Sequence, residues 1–67
     1  MPVLQRGKKG NAVKALQVLL NGNGARLDID GSFGGLTETA VNNYQKSKGL
    51  DVDGVVGSAT WTKLFNE

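Results

Sequence analysis

The chain has 67 residues, room for one small domain spanning 1–67, and a core of that size supplies only about 3–5 kcal/mol net. It contains no Cys and no His, which excludes disulfide staples, the usual zinc sites and catalytic triads built on either residue. Eight Lys+Arg against six Asp+Glu give a net charge of +2 with no five-residue basic run, so attraction to polyanions is weak.

Met1-Pro2 leads almost directly into ordered-looking sequence. No signal peptide is visible in this segment and no stretch reaches the length of a membrane span, so no membrane partner is expected. An excised module of a longer protein and a short stand-alone product both fit, and the lack of Cys suits a cytosolic or a bacterial secreted chain. Residues 11–21 then show helical spacing: Val13, Leu16 and Leu20 share one face, widened by Ala12 and Leu19. Val18 lies opposite and is expected to be exposed. Gly10 precedes this segment, and Gly22 and Gly24 follow it as stop signals. A second stripe runs through Thr37, Ala40, Val41 and Tyr44 in residues 35–48. Gly49 closes it as a left-handed cap, with Lys46 and Lys48 at the negative end of the helix dipole. Residues 58–65 predict a third, shorter helix with Trp61, Leu64 and Phe65 inward and Ser58 as N-cap.

The loops between these segments echo one another. DGSFGGLT at 30–37 matches DGVVGSAT at 53–60 at a fixed offset of 23, pairing Asp30 with Asp53, Gly31 with Gly54, Phe33 with Val56, Gly34 with Gly57 and Thr37 with Thr60. VKALQ at 13–17 is echoed by VNNYQ at 41–45. One unit is used twice around one core. Gly31 and Gly54 permit the positive φ of a tight turn. Phe33 or Val56 then drops into the core, and Gly34 or Gly57 starts the next helix. The Asp carboxylate is expected to accept from loop amides or from the following Thr hydroxyl, as a structural turn-maker rather than a ligand contact.

LQRGKKGNAVKALQVLLNGNG, DGSFGGLTETAVNNYQKSKGL and DGVVGSATWTKL together resemble the peptidoglycan-binding domain family over Leu4 to Leu64. The glycines, Asp-Gly pairs, helix stripes and Trp all fall in register, although Tyr44 stands where Phe is usual and Arg26-Leu27-Asp28 is a stretch of this chain's own. The resemblance implies an all-α fold, a compact irregular three-helix bundle with two Asp-Gly loops. It further implies non-catalytic binding of cell-wall peptidoglycan beside a catalytic domain of the same parent chain, in an extracellular, wall-associated or phage-lysin setting. The same fold serves as a propeptide elsewhere, so a protein-docking or propeptide-like role stays open as the alternative.

Other chemistries fare worse. Asp28 with Asp30 and Asp51 with Asp53 lie two apart in turns, which is not a carboxylate pair facing across a cleft. Counted as calcium loops from Gly31 and Gly54, the first positions are Arg26 and Gly49 and the twelfth are Thr37 and Thr60, so both loops lack acidic ends and no metal or cofactor is expected. The third helix offers only Lys63, and the second offers Asn42, Asn43 and Lys46 with Glu38, which is a poor recognition helix for nucleic acid.

Peptidoglycan presents acetamido sugars and a stem peptide with free carboxylates, which amides, an aromatic wall and one or two cations suit. Thr39, Asn42, Asn43 and Lys46 on the polar face of the second helix are the candidates, with Arg26 for a stem carboxylate. Gln17 and Gln45 occupy equivalent repeat positions; Gln45 joins the ligand set, while the competing reading makes both glutamines ties to loop backbone. Trp61 is read as core before sugar platform, from its spacing to Leu64 and Phe65.

Overall fold

The computed structural model describes residues 1–66. Three helices form: α1 (Asn11–Asn21), α2 (Gly35–Ser47) and α3 (Ser58–Phe65). Among the described residues there is no strand, and no helix is long and apolar enough to cross a membrane.

Each helix buries one narrow stripe, and each stripe mixes apolar with polar residues. On α1 these are Val13, Leu16, Gln17 and Leu20; on α2, Thr37, Val41, Tyr44 and Gln45; on α3, Thr60, Trp61 and Leu64. Phe33 and Val56 from the two loops complete one cluster with them. Ala12, Leu19 and Ala40 pack on its margin, half-buried, and Val18 is exposed. Phe65 corrects the inward expectation, because its side chain is 57% exposed. One residue advances a helix by about 100°, which turns Phe65 off the stripe that Leu64 occupies. Its ring instead stacks on Trp61, with centroids 5.7 Å apart and planes inclined by 18°.

The helix ends follow from glycine. Gly24 and Gly49 take φ of 101° and 71°. Ala25 N–H donates to the Leu20 carbonyl at 3.1 Å, and Leu50 N–H to the Gln45 carbonyl at 2.9 Å, which satisfies carbonyls that would otherwise lack partners. Gly22, by contrast, is still right-handed helix. Ser58 is not the N-cap: it is the first residue of α3, Gly57 precedes it, and no side chain caps the helix.

The N-terminal segment plays a part that its sequence did not announce. Leu4 is buried in the core and exchanges backbone hydrogen bonds with Val56, at 3.1 and 2.8 Å. Gly7 N–H donates to Phe33 O, and Phe33 N–H to Lys8 O, both at 2.9 Å. Trp61 Nε1 donates to the Pro2 carbonyl at 2.7 Å. Residues 2–10 therefore lace both loops and α3 together with isolated antiparallel bridges, Leu4 to Val56 and Lys9 to Ser32.

Candidate functional site

The repeat is built around two buried glutamines. Gln17 Nε2 donates to Asp30 Oδ1 at 3.0 Å, to the Ser32 carbonyl at 3.1 Å and to Thr37 Oγ1 at 3.3 Å, while Oε1 accepts from Gly31 N–H at 2.9 Å. Gln45 does the same in the second half: Nε2 to Asp53 Oδ1 at 3.0 Å, to the Val55 carbonyl at 2.9 Å and to Thr60 Oγ1 at 3.1 Å. Its Oε1 accepts from Asp53 and Gly54 N–H, both at 3.1 Å. Each Asp also closes its own turn, accepting from Ser32 N–H or Val55 N–H at 2.9 Å. Those backbone donors first, and the Gln amides second, hold both carboxyls below the ordinary carboxylate range.

This geometry decides between the two partners expected of each Asp and corrects the ligand assignment of Gln45. The Asp carboxylates accept from loop amides and not from the Thr hydroxyls, because the Gln amide stands between them and bonds both. Gln45 does not face a ligand either. It is 1% exposed and its carboxamide is spent on the loop at 53–60, so the backbone-tying reading describes both glutamines.

Glycine is required where the turn passes close to a helix. Gly31 and Gly54 have φ of 73° and 69°. A Cβ on Gly31 would lie 3.1 Å from the Gly10 carbonyl, and one on Gly54 would lie 3.2 Å from Asn42 Oδ1. Asn42 is accordingly half-buried, folded over the second loop. Gly34 and Gly57 precede α2 and α3 with nearly identical extended backbones, φ −103° and −100°.

The two halves differ in one respect. Gln17 and its Asp are 13 residues apart, Gln45 and its Asp only 8, an excess of 13 − 8 = 5. The extra chain, with Arg26 and Leu27, forms one wall of a cleft of about 490 Å³ whose other wall is α2. Asn21 pins that wall, donating to the Leu27 carbonyl at 2.9 Å and accepting from Leu27 N–H at 2.8 Å. Leu20, Ala40 and Tyr44 lie at its base, Thr39, Asn43 and Ser47 on the α2 side, and Lys48 at one end. Leu36, 80% exposed, stands with Leu27 between this cleft and a smaller recess of about 210 Å³ beside Asp28 and Asp30.

Of the residues singled out from sequence, Arg26, Thr39 and Asn43 line the cleft together. Asn42 and Lys46 do not, being on α2 but off this face. Asn23, Leu36 and Ser47 were missed. The unequal spacing of the two repeats marks where chain was added and so pointed to Asn23; Leu36 and Ser47, on α2, carried no such signal. Among the described residues no group of three or more acidic, His or Cys side chains is placed to hold a metal.

Comparison with known proteins agrees with this architecture. The family model described as "Putative peptidoglycan binding domain" matches residues 9–64. The zinc D-Ala-D-Ala carboxypeptidase of Streptomyces albus G is 43% identical over 65 residues, covering 92% of this chain and 26% of the relative. The crystal structure of the SleB N-terminal domain matches with a TM-score of 0.94 and 41% identity over 97% of this chain and 90% of that one. The Burkholderia AP3 phage endolysin matches with a TM-score of 0.93 and 43% identity, over 94% of this chain and 24% of that one. Against the curated relatives it matches, this chain spans from 17% to 55% of their length. Three helices on twin Asp-Gly loops, matched in sequence and in fold along nearly the whole length, place the chain in the peptidoglycan-binding domain family, as a non-catalytic wall-binding module.

Proposed function

We propose that wall polymer docks in the cleft between residues 23–27 and α2, and that the domain thereby holds an associated wall-acting enzyme on peptidoglycan. The observation that carries the location is the broken repeat. Both halves spend the same residues on the same brace, and the five-residue excess of the first half has no counterpart in the second: Ala25 and Leu27 pack on the core margin and leave Arg26 exposed between them. This excess forms a cleft with amide, hydroxyl and cationic side chains over an apolar base, which is the composition of a ligand site.

The wider role rests on the relatives. They are named as wall enzymes, among them a carboxypeptidase and spore cortex-lytic enzymes, and this chain corresponds to a fraction of each. A weak module of this kind, with affinity of about micromolar or looser, works by raising the effective concentration of a tethered enzyme at an insoluble substrate. The working location is then outside the cell or at the wall.

Co-sedimentation with purified sacculi tests the proposal. Asn43→Trp places a large ring in the cleft from an exposed helix position and should abolish sedimentation without lowering the melting temperature. Lys46→Ala, off the cleft, should sediment like the parent. Unchanged sedimentation of Asn43→Trp would remove the cleft from consideration, and soluble muropeptide released by the isolated domain would contradict the binding-only role.

A further inference from the structure

We infer that the cleft reads the stem peptide of peptidoglycan through a carboxylate, rather than the glycan strand; this rests on the cleft being the wall-binding site. Three observations carry it. The first is charge. Among the described residues the lining holds two cations, Arg26 and Lys48, and no carboxylate. Arg26 is exposed and pairs with no acid among the described residues, whereas Arg6 is engaged with Glu38 at 3.6 Å. Asp28 and Asp30 fall in the neighbouring recess, behind Leu27 and Leu36. A glycan whose lactyl groups are all amide-linked is neutral and gives the Arg26 guanidinium nothing to pair with. A stem peptide brings free carboxylates, for which a guanidinium is a planar two-pronged donor.

The second is the lack of an open aromatic face. Sugar rings bind by laying C–H groups on the negative face of an aromatic ring. Trp61 and Phe33 are buried in the core, and the Trp61 indole N–H is committed to Pro2. Tyr44 is buried at the cleft base, with the Lys48 ammonium 5.9 Å over its ring. Phe65 lies outside the lining.

The third is the match to a peptide backbone. Asn43 is exposed, and its carboxamide can meet the C=O and N–H of a peptide unit together. Leu27, Leu36 and Ala40 beside it suit the methyl groups of alanine residues.

The experiment follows amide chemical shifts during titration with the free tetrapeptide L-Ala-γ-D-Glu-diaminopimelate-D-Ala and, separately, with chitotetraose. The tetrapeptide should shift the amides of Arg26, Leu27 and Asn43, and chitotetraose should not. Arg26→Gln should weaken the tetrapeptide about tenfold at an unchanged melting temperature, the loss of one charge-assisted hydrogen bond. Cleft shifts with chitotetraose, or no shift with the tetrapeptide, would each overturn the peptide reading. Tetrapeptide shifts confined to residues away from the cleft, with Asn43→Trp still sedimenting, would overturn the cleft itself.

Discussion

Gln17 and Gln45, 28 positions apart, hold the two Asp-Gly loops by the same set of bonds: each carboxamide bridges an Asp carboxylate, a loop carbonyl and a Thr hydroxyl, and accepts from the turn glycine. A small domain without disulfides or metal thus spends its two buried carboxamides on fixing loops rather than on a ligand. Buried amides of this kind are stabilising only when every donor and acceptor is met. Here both N–H groups and the carbonyl of each glutamine find partners.

Removing either brace should be severe. Gln45→Ala strands the buried Gly54 N–H, leaves the Thr60 hydroxyl unpaired and opens a void, a cost of about 2–4 kcal/mol. Against a net stability of about 3–5 kcal/mol, much of the population should unfold at 25 °C. Asp53→Ala should be milder, since Val55 N–H is left open to water and Gln45 Nε2 keeps its bonds to the Val55 carbonyl and Thr60 Oγ1. Urea titrations of both variants check the order; equal losses would show that the carboxylate, not the amide, organises the loop.

The same bonds set an acid limit. Asp30 and Asp53 titrate in the folded chain below their ordinary value of 3.8, because loop N–H groups and then the Gln amides bond the charged form. Each therefore contributes stability above about pH 4, and that contribution is lost as pH falls through the folded-state values. Melting temperature should stay level from about pH 8 to 5 and drop below about pH 4. Asp30→Asn with Asp53→Asn keeps an acceptor in both turns and should flatten the acid drop. An identical drop in the double variant would assign it to other carboxylates.

Alanine at the two turn glycines should separate strain from collision. Both positions lie at positive φ, costing a side chain about 1–2 kcal/mol. A Cβ on Gly31 also meets the fixed Gly10 carbonyl at 3.1 Å, whereas on Gly54 the near atoms belong to the side chains of Asn42 and Glu38. Gly31→Ala should therefore be the more destabilised of the pair in thermal unfolding. The reverse order would mean that α2 cannot yield around Gly54.

Neighbouring residues at the end of α3 should behave very differently. Leu64 is in the core, and Leu64→Ala should cost about 2–5 kcal/mol. Phe65 is mostly exposed and stacks on Trp61, so Phe65→Ala should cost only about 0.5–1.5 kcal/mol. Chemical denaturation distinguishes them, and a Phe65→Ala loss as large as that of Leu64→Ala would return Phe65 to the core.

Sequence by itself determined the three helices, their stripes apart from Phe65, the left-handed stop at Gly49, and the pairing of the two loops. Those features follow from local periodicity and from backbone angles that only glycine adopts cheaply, so a linear reading reaches them. The family resemblance was legible for the same reason, in glycines and Asp-Gly pairs at fixed spacing. Tertiary structure alone decided what the polar residues on those stripes do. Gln45 looks available to a ligand in sequence, and it is buried because its partners Asp53, Val55 and Thr60 arrive from a later loop. Leu4 gave no periodic signal, yet it enters the core through backbone pairing with Val56, a contact 52 residues away along the chain. Arg26 and Asn43 come together for the same physical reason: they belong to different elements, and only the packing of α1 against α2 sets them on one cleft.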